Sequence, residues 1–250
     1  MRIGRFDFSP RLLPTLATLA LLPLLIALGV WQLGRAADKR HMQNTFTERV
    51  QQRAFFLDAD AWSALRNDNQ PQALAYLRVE MEGSFDGTRQ YLLDNRTRNG
   101  VAGFEVLTAF RPDGADGGVM VNRGWVPQGR SRADLPPLPV PEQTVKLRGI
   151  IDAQREPLPL LGESGYERGG WPRIVQRIDM KAMADGLGYP LLPVTVLLDE
   201  DATFGFLREW KPYYGIPEER HQAYAVQWFA LAAALVAIYV IVNTSRIENE

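Results

Sequence analysis

The chain has 250 residues, with 28 Lys and Arg against 29 Asp and Glu and a formal net charge of -1 at pH 7. No Lys/Arg run marks a phosphate-binding patch, which argues against nucleic acid as a partner. Cysteine is absent and the only two histidines are His41 and His221, which excludes disulfides, iron–sulfur clusters, thiolate metal sites, covalent haem attachment and cysteine nucleophiles.

The mean hydropathy of -0.18 averages two charge-free apolar runs with a polar middle, so the chain is read in windows. The first run covers 12–33 between Arg11 and Arg35. As a helix it extends about 33 Å, enough to cross a bilayer. Pro14 falls in the first turn, where a missing N–H costs little, and Pro23 is expected to kink the middle. A cleaved signal peptide is the competing reading, because Gly34-Arg35-Ala36 loosely resembles a cleavage site. Signal cores are usually shorter, and Trp31 reads as an interfacial anchor.

The middle of the chain reads as strands. Residues 76–82 alternate strictly, with Leu77, Val79 and Met81 on one face. Runs at 90–94, 104–110, 119–121, 144–151, 174–178 and 194–198 follow, separated by Gly, Pro, Asn or Asp. Short helices are expected over 59–65 and after Asp179, which caps 180–185 before Gly186 ends the turn. The absence of βαβ alternation points to an antiparallel sheet rolled into a small barrel or sandwich. Residues 136–141, rich in proline, read as an extended connector, and the glycine-rich stretch 162–170 as a mobile or substrate-facing loop.

The second apolar run, 223–242, is entered through Glu218-Glu219-Arg220-His221 and left through Asn243-Thr244-Ser245-Arg246. A buried soluble helix is the alternative; its place near the C-terminus favours a membrane anchor. The expected fold is thus a membrane protein with two transmembrane α-helices flanking a mainly antiparallel β domain with one or two short helices. Its divisions are a cytoplasmic tail (1–11), a first span (12–34), a periplasmic β-rich domain (35–222), a second span (223–242) and a cytoplasmic tail (243–250). Arg2, Arg5 and Arg11 favour a cytoplasmic N-terminus. Arg35, Lys39 and Arg40 count the other way, although a long loop translocates largely regardless of charge.

Catalytic motifs are missing. No zinc-protease, Walker or dinucleotide fingerprint occurs, and Gly162-Glu163-Ser164-Gly165 fails the spacing of a nucleophile elbow. Glu80, Glu82, Asp94 and Glu105 are explained by alternation along strands, so nothing demands an enzyme.

Three stretches carry a resemblance. Leu28-Gly29-Val30-Trp31-Gln32-Leu33-Gly34-Arg35 with Lys39, Asn122-Arg123-Gly124-Trp125-Val126-Pro127, and His221-Gln222-Ala223-Tyr224-Ala225-Val226-Gln227-Trp228-Phe229 resemble the Surfeit-locus-1 family of cytochrome oxidase assembly proteins. Asp94-Asn95-Arg96 and Gly103-Phe104-Glu105-Val106-Leu107-Thr108 extend the likeness over nearly the whole chain. The resemblance implies a non-enzymatic assembly factor in the bacterial inner membrane that helps insert or retain haem a in the catalytic subunit of a haem–copper oxidase. Its partners would be that subunit, other assembly factors and membrane lipid. It also implies His221 as axial haem ligand.

Neutral imidazole at a membrane edge suits that role, since the macrocycle can bury its ring while its propionates stay wet. An ordinary polar residue at headgroup level is the alternative. Helical spacing puts Tyr224, Ala225 and Trp228 on the face of His221, and Trp31 and Arg35 are further contacts for haem. The aromatics are equally explained by an interfacial belt, and Arg35 and Lys39 by lipid phosphates. Gln32 and Gln227 are expected to face the partner helix. Arg96 and Arg123 are expected to form internal salt bridges, with Asp94 as a candidate partner, and Trp125 to be a core or lid aromatic. His41 is expected to be exposed or structural. Two rival functions stay open: a scaffold that binds oxidase subunits without haem, and a membrane enzyme acting on haem or quinol.

Overall fold

The computed structural model describes residues 2–3, 6–67, 70–129, 134–153, 164–166, 169–210 and 216–246. In chain order the elements are β1 (Arg2–Ile3), β2 (Phe6–Phe8), α1 (Leu12–Val50), β3 (Phe55–Phe56), α2 (Ala59–Arg66), β4 (Arg78–Arg98), β5 (Val101–Pro112), β6 (Gly118–Pro127), β7 (Val145–Asp152), β8 (Arg173–Val175), α3 (Met180–Leu187), β9 (Leu191–Leu198), α4 (Glu218–Val242) and β10 (Thr244–Arg246). They divide into two units, Met1–Thr45 with Pro212–Glu250, and Phe46–Lys211.

The first unit holds both apolar runs as helices long and apolar enough to cross a membrane. α1 does not stop where the charge-free run ends. Ala36, Ala37, Lys39, Arg40, Met42 and Gln43 are good helix formers, so the charges change the solvent the helix suits without breaking it. The chain ends meet: β10 pairs antiparallel with β2, and β2 with β1, giving a three-stranded sheet of the two tails.

The second unit is a closed barrel. β4 pairs with β7 along its first part and with β5 from Gly83 onward. β5 pairs with β6, β6 with β9, and β9 returns to β7, so the ring closes. Most pairs are antiparallel, but β6–β9 is parallel, and β3 and β8 add to β4 in parallel. The sheet is mainly antiparallel, as expected; the parallel pairings join strands apart in sequence and leave no local signal. The two strands expected at 76–82 and 90–94 are one strand of 21 residues. Gly83 makes the corner: a Cβ there would lie 2.1 Å from the Arg111 carbonyl oxygen, so only glycine lets β4 change partners at this point.

β6 also runs well past the expected 119–121, to Pro127, and every position except the last is buried. Its Asn122 and Arg123 look like polar punctuation in sequence, yet both are buried and hydrogen-bonded. Alternate β6 residues feed opposite faces. Val119 and Val121 point into a cluster with Val79, Met81, Phe110, Leu147 and Val196, which Trp62 of α2 caps. Met120 faces Tyr91, Leu93, Leu107 and Ala109, covered by Met183 and Leu187 of α3.

Both short helices start as expected. Asp58 accepts the Ala61 N–H at 2.9 Å, and Asp179 that of Ala182 at 3.0 Å. α3 passes through Gly186 and ends at Gly188, which takes the left-handed conformation that Gly186 does not (φ 80°). Residues 136–141, expected as an extended connector, belong to no helix or strand, and the Leu138 and Pro139 carbonyls accept from Gln90 and Arg123. Of the stretch 162–170, only Ser164, Gly165, Tyr166, Gly169 and Gly170 fall within the described residues.

Candidate functional site

α1 and α4 pack along matched stripes. The more buried positions of α1 include Thr15, Thr18, Leu22, Leu25, Gly29, Gln32, Ala36 and Lys39; those of α4 include Glu218, His221, Ala225, Trp228, Ala232, Leu235 and Tyr239. Both stripes step by alternating threes and fours, the spacing of helices that interlock at a shallow angle. The fully buried positions are small, Gly29, Ala36, Ala225 and Ala232, with His221 the exception. Small residues bring two helices close where lipid supplies no hydrophobic drive.

The cross-contacts run antiparallel. Arg40 donates through Nε to Glu218 at 2.9 Å, Phe229 lies over Gly29, Thr15 Oγ1 meets the Tyr239 hydroxyl at 3.0 Å, and the Arg11 N–H donates to Asn243 Oδ1 at 2.7 Å.

Between the Arg40–Glu218 pair and Gly29 sits His221, 8% exposed, with Nδ1 2.7 Å from Gln32 Oε1. An amide oxygen only accepts, so this contact is the one made by a ring with its hydrogen on Nδ1. Trp31 and Tyr224 are about half exposed, at 53% and 45%. Trp228 is half-buried. The Arg35 guanidinium lies 5.8 Å from the Trp31 ring and 3.6 Å from the Asp38 carboxylate.

Helical phase groups these residues. At about 100° per residue, Trp31 and Arg35 turn from Gln32 toward one flank of α1, and Tyr224 and Trp228 turn from His221 toward one flank of α4. In an antiparallel pair those flanks form the same side of the hairpin, while the other side is filled where Phe229 packs on Gly29.

Two expectations for this region change. Gln227 does not face α1; it is exposed, because six residues of helix rotate it well out of the stripe that holds His221. Gln32 faces α4 but meets His221 instead of a second glutamine. His41 is exposed, as expected.

The remaining motifs converge at one end of the barrel. β4 and β5 slip register between Leu93 and Arg96, and β5 and β6 between Glu105 and Leu107. Around these bulges Asn95, Arg96, Thr97, Arg98, Glu105 and Trp125 line a cleft of about 420 Å³. Trp125 is 8% exposed and donates through Nε1 to the Arg96 carbonyl at 2.8 Å, which makes it a core aromatic. Arg96 pairs with Glu105 at 3.7 Å, and Asn122 donates to the same carboxylate at 2.8 Å. Asp94, buried, accepts the Asn95 N–H at 2.8 Å.

Arg123 forms no salt bridge with Asp94. Its guanidinium is 1% exposed and donates to the Phe204 carbonyl (2.6 Å from Nη2, 3.1 Å from Nε), to the Pro139 carbonyl and to Gln90 Oε1 at 3.3 Å, with the Phe85 and Phe206 rings 5.3 and 5.0 Å away. Burial first, and then the charge of Arg208, push its pKa down to about 10, so it stays charged at neutral pH.

A membrane-capable helix hairpin with a buried histidine, joined in sequence to a small mixed β-barrel, defines the class. A model of the SURF1 family matches residues 19–233. The chain belongs to the SURF1 family, whose members are known as cytochrome oxidase assembly factors. It is 25% identical to a SURF1-like protein of Monosiga brevicollis over 86% of this chain and 82% of that one. It is 24% identical to Surfeit locus protein 1 of Takifugu rubripes (83% and 87%) and 25% identical to a SURF1-like protein of Rickettsia bellii (89% and 87%).

Proposed function

We propose that this protein assists assembly of a haem–copper terminal oxidase by holding haem a, as cargo, on the helix hairpin and releasing it to the catalytic subunit. The observation that supports the reading is His221: a buried imidazole on a membrane-capable helix, its Nδ1 engaged by Gln32 and its Nε2 lone pair left for a metal. Bound haem a supplies the redox iron that the oxidase needs; the chain's residues bind and orient it. Trp31, Tyr224 and Trp228 offer apolar surface on one side of the hairpin, and Arg35 offers a cation for a propionate.

In this reading the two tails, paired in one sheet, lie in the cytoplasm with Arg2, Arg5 and Arg11, and the barrel lies in the periplasm of a bacterium. The protein acts by stoichiometric binding, without turnover. A second reading draws on the cleft bearing Arg96 and Arg98: a scaffold that docks oxidase subunits through the barrel and never touches haem.

Reduced-minus-oxidised spectra of membranes lacking this protein separate the readings. A selective loss of the haem a signal, with haem b and c unchanged, is expected. Wild type restores it, and His221→Ala does not. Full restoration by His221→Ala would favour the scaffold, and an unchanged haem a signal in the deletion would contradict both.

A further inference from the structure

Free histidine in water prefers the tautomer with its proton on Nε2, which would place the lone pair on Nδ1, close to the chain's own backbone. In the hairpin a single contact opposes that preference. Gln32 Oε1 lies 2.7 Å from His221 Nδ1, and an amide oxygen rewards only the ring with hydrogen on that nitrogen. The contact is preorganised by its surroundings. Gln32 and His221 occupy the same stripes as Gly29, Ala36, Ala225 and Ala232, so the two backbones are held close around them. Below them the Phe229 ring fills the space over Gly29, and toward the loop end Arg40 ties α1 to Glu218. A hydrogen bond shielded in this way favours one tautomer far more than one in water would.

We propose that Gln32 is a positioning residue that fixes His221 as the Nδ1–H tautomer and so presents Nε2 as the metal-binding atom. The inference rests on the haem reading above for its purpose, but the tautomer is a property of the chain alone. Gln32 does not touch haem. It acts through the ring, as the outer-shell partners of metal-bound histidines do: it holds the ring plane and raises the donor strength of the distal nitrogen. The same bond would be made by a carboxylate at position 32 and lost with an apolar isostere.

The test uses the full chain in lipid nanodiscs with ¹⁵N-labelled histidine. Only two histidines are present, so His41→Asn leaves one ring to read. The proposal expects a protonated Nδ1 and an unprotonated Nε2 in wild type without haem, the opposite tautomer or a mixture in Gln32→Leu, and a retained Nδ1–H in Gln32→Glu. Titration with haem a is expected to be weaker by about 10- to 100-fold in Gln32→Leu, the usual effect of removing an outer-shell partner. Gln32→Glu should keep the nitrogen-ligand spectrum, with a lower midpoint potential from its more basic imidazole. Helical circular dichroism and the behaviour of Gln32→Glu distinguish lost positioning from lost folding. A wild-type ring protonated on Nε2, or a tautomer unchanged in Gln32→Leu, overturns the proposal. A tautomer that follows residue 32 while His221→Ala binds haem a like wild type upholds the role of Gln32 and overturns the haem reading.

Discussion

Arg123→Met destabilises the full-length protein by about 3 kcal/mol, the expected cost of leaving buried acceptors without a donor. Methionine approximates the length of the side chain and keeps its apolar contact with Phe85 and Phe206, but it cannot donate to Phe204, Pro139 or Gln90. These three acceptors come from three segments, so Arg123 fastens the proline-rich connector and the loop after β9 to the middle of β6. The buried charge itself is a cost, seen in the pKa pushed down to about 10 by desolvation, and the substitution relieves it. The carbonyls it strands outweigh that relief. Arg123→Lys keeps a charge but loses the planar fork and falls between the two. Urea unfolding in detergent, followed by tryptophan fluorescence, measures the difference; Arg96→Ala, at the barrel surface, is the control and shifts the midpoint little. A midpoint unchanged in Arg123→Met would show that the loops hold without it.

Gly29→Leu separates the hairpin. A single Cβ at position 29 would meet Phe229 Cε1 at 2.6 Å, so even alanine demands that the ring move, and leucine forces the helices apart by more than the seam can absorb. The expected loss is about 1–3 kcal/mol of helix pairing. It is read as reduced resonance energy transfer between labels on α1 and α4. Phe229→Ala should restore pairing to Gly29→Ala, because the two changes exchange volume across one contact and are not additive. Equal transfer in Gly29→Leu and wild type would contradict the seam. Since Gln32 and His221 share that seam, a separated hairpin also loses their hydrogen bond.

Much of this architecture is legible in the sequence, and the failures have physical causes. The two apolar runs stand out because charge is excluded from them, and the Asp179 cap marks where a short helix begins. The end of α1 is hidden because its charged continuation is as good a helix former as its apolar start. β6 is cut short in a linear reading since Asn122 and Arg123 look like surface residues, and only the fold supplies their partners.

The pairing of His221 with Gln32 is hidden for a different reason. A helix that is apolar all round has no polar face to set its rotation, so residue spacing alone does not say which side meets the neighbour. A usable signal is present all the same. Gly29 and Ala36, and Ala225 and Ala232, repeat small residues at seven-residue spacing and mark both stripes. His221 and Gln32 lie in phase with those pairs, while Gln227 does not.

Whether His221 binds haem a is read from equilibrium titration of the purified full-length protein in nanodiscs with haem a. The expected result is one haem a per chain with the spectrum of a nitrogen-ligated iron, and a loss of affinity of more than about 100-fold in His221→Ala, beyond what an outer-shell partner contributes. Equal affinity and an unchanged spectrum in His221→Ala, or no stoichiometric binding by wild type, would contradict it.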